Sequence, residues 1–534
     1  MQRRDFLKAS TSIGAAAVPG SAGGATPPTP AGTRVFVRDF GAKGDGVTDD
    51  TPAIQAALDS GARSVYLPAA RYLVGSLVAP SNLRLHGDGP HATVLVHKRG
   101  MGGAMIATRG ETENVALEGF SMEGNAAVQT KGAHCGIRLD AGAARCRVTD
   151  VHASDFADWT FCVYGSHITL HRCEGSGISG ATGPNAVRAV FLIGASRPKR
   201  NVDDILLDQC VARDCPLPYS DGFILESGAA VTMSNCRVRD VSYTGIKIKT
   251  NDTRVMGCHV QGCLTGIQTQ GALRQLSLVS NTAMRNGGAG FQFNQHEPDR
   301  IAHGWLVTGN AAIENGQNAA GGTPYGFAFE NVERCVTNGL VVSNNISMDG
   351  QKQPTQIRGL SFGKAGVYSN VLLAGNLCSG NQVDFVLGLS LELDSLLRDT
   401  NAAKSTAAYG TGAYRLNAWT SEATVRSQAF ILADCNGNRG FLVTRPGFLR
   451  YLCAKASTPV TAGSATFSVR VNGAFRHRLS CRLDSTNPVF QIAEQPPFEM
   501  TLAPGDVITI ACVIDKNFAA ASAASFDAVV EICY

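Results

Sequence analysis

Cys210-Val-Ala-Arg-Asp-Cys215, Cys258-His-Val-Gln-Gly-Cys263, Asn281-Thr-Ala-Met-Arg-Asn286, Asn310-Ala-Ala-Ile-Glu-Asn315 and Asn376-Leu-Cys-Ser-Gly-Asn381 are five versions of one phrase. Cys236-Arg-Val-Arg-Asp-Val241 and Asn344-Asn-Ile-Ser-Met-Asp349 fit the same frame. Each opens on Cys or Asn, has an apolar or small residue two places later, and usually closes on Cys, Asn or Asp. The openings recur every 22 to 34 residues. A fixed phrase at such a period marks a solenoid whose coils bury a continuous core only by stacking. The expected fold is all-β: a right-handed parallel β-helix. Stacking sets equivalent positions over one another, so the asparagines should form amide ladders, and the cysteines replace them as small buried groups. That accounts for the thiols without disulfides, although Cys210–Cys236 and Cys236–Cys258 bridges stay open.

Working outward, a second strand closes each coil as Gly-apolar-x-apolar-x. Examples are Gly136-Ile-Arg-Leu-Asp140, Gly222-Phe-Ile-Leu-Glu226, Gly245-Ile-Lys-Ile-Lys249, Gly266-Ile-Gln-Thr-Gln270, Gly290-Phe-Gln-Phe-Asn294 and Gly326-Phe-Ala-Phe-Glu330. Alternation sends Ile246, Ile248, Phe291, Phe293, Phe327 and Phe329 inward. It leaves two outward columns: Arg138, Ile224, Lys247, Gln268, Gln292, Ala328, and Asp140, Glu226, Lys249, Gln270, Asn294, Glu330. A flat wall rich in amides and charges suits an extended chain of hydroxyls and carboxylates; the plain alternative is a solvated sheet face. Insertions at Ile178–Ala189, Cys215–Ser220, His296–His303 and Gly316–Tyr325 flank it, where sites tend to form.

The densest chemistry is Tyr219-Ser-Asp221 through Glu226, followed one coil later by Tyr243-Thr-Gly-Ile-Lys247-Ile-Lys249. Coils ~4.8 Å apart put Glu226 beside Lys249, and Asp221 near Thr244 and Lys247. Asp221, Glu226, Lys247 and Lys249 are the catalytic candidates. Tyr219, Tyr243, Gln268, Gln270, Gln292, Asn294 and Glu330 are the substrate-binding candidates. Cations that neutralise a uronate carboxylate, with a base for the adjacent proton, suit β-elimination. Two carboxylates across a glycosidic bond would suit hydrolysis. An ordinary ion-paired wall on a binding or adhesive spike is the non-enzyme reading.

Val37 to Tyr72 reads VRDFGAKGDGVTDDTPAIQAALDSGARSVYLPAARY. A short strand and a glycine turn lead to a helix with Asp50 or Thr51 as N-cap and Pro52 in its first turn. The run Asp39 to Thr51 resembles the opening of the pectate-lyase-like superfamily, which includes rhamnogalacturonase-like, epimerase-like and phage tailspike-like proteins. That resemblance implies a helix capping a β-helix and names no reaction. Asp45, Asp49 and Asp50 read as capping and turn-pinning groups, with a catalytic or metal cluster as the alternative. Asp221-Gly-Phe and Ile246-Lys-Ile-Lys-Thr250 resemble polygalacturonase motifs. The following coils carry Thr244-Gly-Ile-Lys and Thr265-Gly-Ile-Gln where that family has paired aspartates and Gly-His-Gly, so its mechanism does not carry over.

Among the 534 residues 59 are Gly and 17% are charged, which favours a turn-rich β protein. A net charge of +4 with no basic run points away from nucleic acid. Arg3-Arg4-Asp5-Phe6-Leu7-Lys8 before a short apolar stretch resembles a twin-arginine export signal, implying a periplasmic or secreted protein. No apolar run is long enough for a membrane span. The expected division is 1–32 signal and linker, 33–395 β-helix, and 396–534 a β-sandwich of jelly-roll type, from alternating strands such as Phe467–Gly473 and Val507–Ile514. That last region resembles phage tail domains that trimerise or bind sugar, which leaves a homotrimer open. The partner implied is an acidic polysaccharide. No cofactor is required and no zinc spacing is present. The cluster His296, Glu297, Asp299 and His303 reads as a polar loop, with a metal or groove role as the alternative; calcium is left open.

Overall fold

The computed structural model describes residues 34–534 apart from 130–133, 180–187, 197–198, 319–321, 364–365, 387–395, 398–401, 404–412, 422–429, 432–440, 444–446, 495–499, 504, 516, 521–525 and 534. The signal motif and residue 395 lie outside those residues; past the expected boundary at 395/396, Leu396–Leu397 and Ala402–Ala403 still pair in parallel with the coil strands Val367–Ala374 and Leu377–Ser379.

From Arg34 the chain winds as a parallel β-helix. One face is a twelve-stranded, wholly parallel sheet whose strands stack strictly in chain order from Leu77–Val78 to Val383–Val386. The other two strand rows join into a 26-stranded sheet, because long strands such as Ala116–Glu123 and Arg147–Ser154 turn the corner between them. The repeated phrase lies at those corners. At each one a residue in the left-handed region (Gln209, Asn235, Gly257, Ser280, Gly309, Asn344 or Gly375) immediately precedes an inward residue. The inward residues are Cys210, Cys236, Cys258, Asn281, Asn310, Asn345 and Asn376, all buried.

The asparagines form the expected ladder. Asn281 donates through Nδ2 to the Val255 carbonyl (2.8 Å) and to Asn310 Oδ1 (3.0 Å), and the pattern continues through Asn345 to Asn376. The cysteines play the same part: the Cys210 thiol donates to Leu170 O (3.4 Å) and Cys236 to Leu207 O (3.6 Å), the carbonyls of the equivalent strands one coil earlier. Among the described residues, the cysteines from Cys135 to Cys378, together with Cys481 and Cys512, are buried free thiols. The frame is shifted at one coil: Asn345, not Asn344, is the rung, since Asn344 supplies the left-handed turn. A second ladder runs Asn286 to Asn315 to Gln356 to Asn381. Gln356, rather than Asp349, is its third rung, because the chain loops out between them. Asp349 instead accepts the Gln351, Thr355 and Gln356 amides of that loop.

Inside, near-parallel aromatic stacks repeat the coil spacing, with Phe293–Phe329 at 4.3 Å and Phe161–Phe191 at 4.8 Å. The glycine that opens each twelve-stranded-sheet segment is there because coils touch. A Cβ on Gly222 would lie 2.5 Å from Gly245 O, one on Gly245 2.8 Å from Gly266 O, and one on Gly266 2.3 Å from Gly290 O.

At the N-terminal end a helix spans Thr51–Asp59 and buries Ile54, Ala57 and Leu58. Asp50 is its N-cap residue, but its carboxylate reaches back to accept Lys43 N (2.6 Å) and Gly44 N (3.0 Å). Asp49 accepts Thr51 N (3.1 Å) and Asp45 accepts Val47 N (2.9 Å), so all three acids pin the turn.

A histidine pair is buried in the first coils. His134 Nδ1 accepts the Ala157 amide (3.0 Å), so its proton sits on Nε2 and is donated to His97 Nδ1 (2.9 Å). His97 must then carry its proton on Nε2, which has no partner among the described residues. Both free lone pairs of the neutral pair are thus occupied. Burial depresses both imidazoles, His97 to about 4.

Beyond residue 412 the described strands are antiparallel. One sheet contains Ala413–Ser421, Phe526–Cys533, Gly447–Ala456 and Phe490–Glu494; another contains Phe430–Ile431, Val507–Ile514, Ser464–Val471 and Ala474–Asp484. Asn472 and Gly473, at φ +52° and +79°, make the tight hairpin turn between Ser464–Val471 and Ala474–Asp484. These strands share an apolar core, from Val443 to Val530, separate from that of the coils.

Candidate functional site

The outer face of the twelve-stranded sheet carries the expected columns. Register pairs Ile224 with Lys247, Lys247 with Gln268, Gln268 with Gln292, and Gln292 with Ala328; Gln270 pairs with Asn294 and Asn294 with Glu330. Ile246, Ile248, Phe291, Phe293, Phe327 and Phe329 point into the core. Asp221 faces out despite standing two residues before inward Phe223. The reason is Gly222, whose missing side chain would point inward at Val238 Cγ1, 2.8 Å away, so strict alternation is broken there.

Four charged groups meet as the text suggests. Lys247 Nζ lies 2.7 Å from Asp221 Oδ2, and Lys249 Nζ lies 2.9 Å and 3.1 Å from the two Glu226 oxygens. The pairs differ in access. Asp221 is 1% exposed, and its other oxygen accepts Thr244 N at 2.9 Å. Burial holds its carboxyl above the usual carboxylate range even though Lys247 and Thr244 pull the other way. Asp221, expected among the reacting groups, is therefore placed to hold Lys247 rather than to touch a sugar. Glu226 and Lys249 are half-buried and reach the surface.

Two aromatic rings stand over this corner. Tyr219 is 48% exposed on a left-handed backbone (φ +59°), a conformation unfavourable for a bulky residue. Its ring meets Tyr243 edge to face at 5.5 Å, and Lys247 Nζ sits 4.8 Å from the Tyr243 ring centre. Farther along the wall the amides form a directed chain. Gln270 donates to Gln268 Oε1 (3.2 Å), Gln268 to Gln292 Oε1 (2.9 Å), and Gln292 to Glu330 Oε2 (2.9 Å). Glu330, which only accepts when ionised, fixes the direction of all three amides. Asn294, expected as an open groove residue, is 6% exposed with its Oδ1 unpartnered among the described residues.

The loop cluster does not assemble. Glu297 pairs with Arg300 and Asp299 with Arg334, while His303 lies on the strand Ile301–Thr308 of the other sheet. Among the described residues, no three His, Cys, Asp or Glu side chains converge on a metal position. One feature of the wall is not foreseen by alternation. Its early coils are apolar on the outside, where Ala189, Leu192 and Ile224 pack with Trp159 and Tyr164, and Ala104, Ala107, Cys135 and Cys162 pack against the same two rings. The alternating Cys162 and Tyr164, with Trp159 at the start of the same strand, are the available signal.

Comparison with known proteins agrees with this architecture. Residues 35–176 match the family described as rhamnogalacturonase A/epimerase, pectate lyase-like, and residues 135–328 and 199–384 match right handed beta helix region. Alginate lyase 7 of Azotobacter vinelandii is 39% identical over 106 residues, 17% of this chain and 12% of that protein. Mannuronan C5-epimerase AlgE5 of the same organism is 29% identical over 302 residues, 52% of this chain and 24% of that protein. The pre-neck appendage protein of Bacillus phage phi29 is 28% identical over 239 residues, 41% of this chain and 27% of that protein. The chain thus matches about a quarter or less of the length of each of these curated relatives. The A-module of A. vinelandii mannuronan C-5 epimerase AlgE6 superposes with a TM-score of 0.45 at 17% identity, covering 70% of this chain and all of that one.

Proposed function

We propose that the protein acts on an acidic polysaccharide by removing the proton next to a uronate carboxylate, with β-elimination of the chain as the outcome. The observation that carries this reading is the half-buried Glu226–Lys249 pair beside the anchored Lys247. Lys249 and Lys247 supply positive charge for a sugar carboxylate, which grows more basic as the adjacent C–H is broken. Glu226, released from Lys249 when the sugar carboxylate takes its place, accepts the C5 proton; the electrons of that C–H bond form the C4–C5 double bond as the C4–O4 bond breaks, and the leaving oxygen takes a proton from water. Tyr219 and Tyr243 flank the sugar ring, and the amides from Gln268 to Glu330 bind hydroxyls of neighbouring units. The names of the alginate lyase and epimerase relatives support the substrate class. An epimerase shares the first step and differs in returning the proton to the opposite face.

A second reading, a non-catalytic carbohydrate-binding spike, is favoured by one observation: Lys247 and Lys249 are each already neutralised by an acid. The phage appendage relative points the same way.

One experiment separates the readings. Purified protein is incubated in D2O with uronate polymers and followed by ultraviolet absorbance, reducing ends and NMR. An unsaturated uronide marks elimination, and deuterium at C5 without shortening marks epimerisation. New reducing ends without the chromophore mark hydrolysis, and retention on polymer with no chemistry marks the spike. Glu226→Gln should abolish elimination while retaining polymer; full cleavage by that variant would remove Glu226 from the mechanism.

To the same proposal belong twin-arginine export to the periplasm or medium, the division into β-helix and C-terminal jelly-roll sandwich, and a homotrimer built through that C-terminal part.

A further inference from the structure

Register places a third outward row beside the two columns. Asp221 follows Ala189 in it, Thr244 pairs with Thr265, and farther along Tyr325 pairs with Arg358. The inward residues two places on (Phe223, Ile246, Ile267, Phe291, Phe327 and Leu360) tie these positions into one line. Arg358 therefore stands five coils from Asp221 on the same wall.

Arg358 differs from the other wall cations. Arg138 faces Asp140 at 3.0 Å, Lys247 faces Asp221, and Lys249 faces Glu226. Among the described residues no carboxylate lies within ion-pair distance of Arg358. Its Nη1 donates to Ser361 Oγ at 3.2 Å, and its guanidinium carbon lies 4.8 Å from the centre of the Tyr325 ring. Ser361 is 2% exposed and so is a fixed post. Ring and hydroxyl together hold the planar fork in place while most of its N–H donors remain unspent. A positioned, unneutralised guanidinium fork is suited to bidentate recognition of a carboxylate.

We infer that Arg358, with Tyr325 and Ser361, is a second carboxylate-binding subsite, taking a uronate residue of the same polymer whose reacting unit lies at Glu226 and Lys249. Five strand spacings of ~4.8 Å separate Arg358 from the Asp221 row position, about 24 Å. Only an extended oligosaccharide spans both. This inference rests on the acidic-polysaccharide reading above.

The test is calorimetric binding of oligogalacturonate and oligomannuronate series to the full chain, at about three and about eight units, with neutral oligomers of equal length beside them. Wild type should bind the longer uronates more tightly than the shorter. Arg358→Gln should lower affinity for the longer ones by about tenfold or more, the scale of a lost charge-assisted pair, and leave the shorter ones and the neutral series unchanged. Tyr325→Leu should produce part of that loss, and Arg358→Lys should restore part of it. Unchanged affinity of Arg358→Gln for the longer uronates would overturn the subsite. Failure of wild type to bind any uronate would instead overturn the acidic-polysaccharide reading, and the subsite with it. The short-oligomer affinity and melting temperature report whether each variant is folded.

Discussion

His97 offers a test of the buried wiring in the first coils. Neither ring of the His97–His134 pair can take a proton without surrendering a hydrogen bond it already accepts. Burial holds His97 at about 4, against 6.5 for an ordinary imidazole. Unfolded chains therefore take up this proton first as the medium is acidified. The folded state is fully favoured above the ordinary value and loses ground as pH falls from there toward the folded one. A gap of that size corresponds to roughly 3 kcal/mol at its limit, and to about 2 kcal/mol between about pH 7.5 and about pH 5. His97→Gln keeps an acceptor for His134 Nε2–H and cannot titrate there. Urea denaturation followed by circular dichroism at both pH values should show wild type losing about 2 kcal/mol more than the variant. Surface carboxylates contribute equally to both proteins and cancel. If the two lose the same stability on acidification, the tautomer assignment and the buried neutral pair are wrong.

Lys247→Met strips the countercharge from a carboxylate that is 1% exposed, which should cost about 3–5 kcal/mol at neutral pH. Because burial holds Asp221 above its usual range, that deficit should shrink as pH falls and the carboxyl is protonated, and Asp221→Asn in the same chain should recover much of it; denaturant melts at two pH values check both. Asn310→Ala takes the Oδ1 acceptor from the Asn281 backbone N–H and from one of its two Nδ2 hydrogens, and the Nδ2 donor from the Leu278 carbonyl, a loss of about 3 kcal/mol by the same melts. Asn310→Cys should cost less, since a thiol already fills that rung in the coils of Cys210 and Cys236.

The repeat was readable because each rung needs a small group that can be buried and can donate to a strand carbonyl, and few residue types qualify. The reading slipped where one residue type satisfies two demands: asparagine suits both the left-handed turn and the rung, so Asn344 and Asn345 are interchangeable in text. It slipped again at Gln356, because an inserted loop lets a residue outside the phrase become the rung. Pairing of Lys249 with Glu226 followed from period and spacing alone. The burial of Asp221 did not, since it depends on how Lys247 and the Thr244 backbone close over it. The apolar outer band around Trp159 escaped because strand alternation distinguishes two faces but does not say which stretches of the outer face are covered.

The glycines at Gly222, Gly245, Gly266 and Gly290 let one coil rest on the next with almost nothing between them. A stack joined so closely works as a ruler, graduated in whole turns and resistant to stretching. Excising one complete turn between the reacting corner and Arg358 would leave both ladders continuous while moving the two ends one graduation closer. Polymer length preference would then be set by the number of turns, a quantity that lineages of such proteins can change by duplicating or losing a unit without redesigning any single contact.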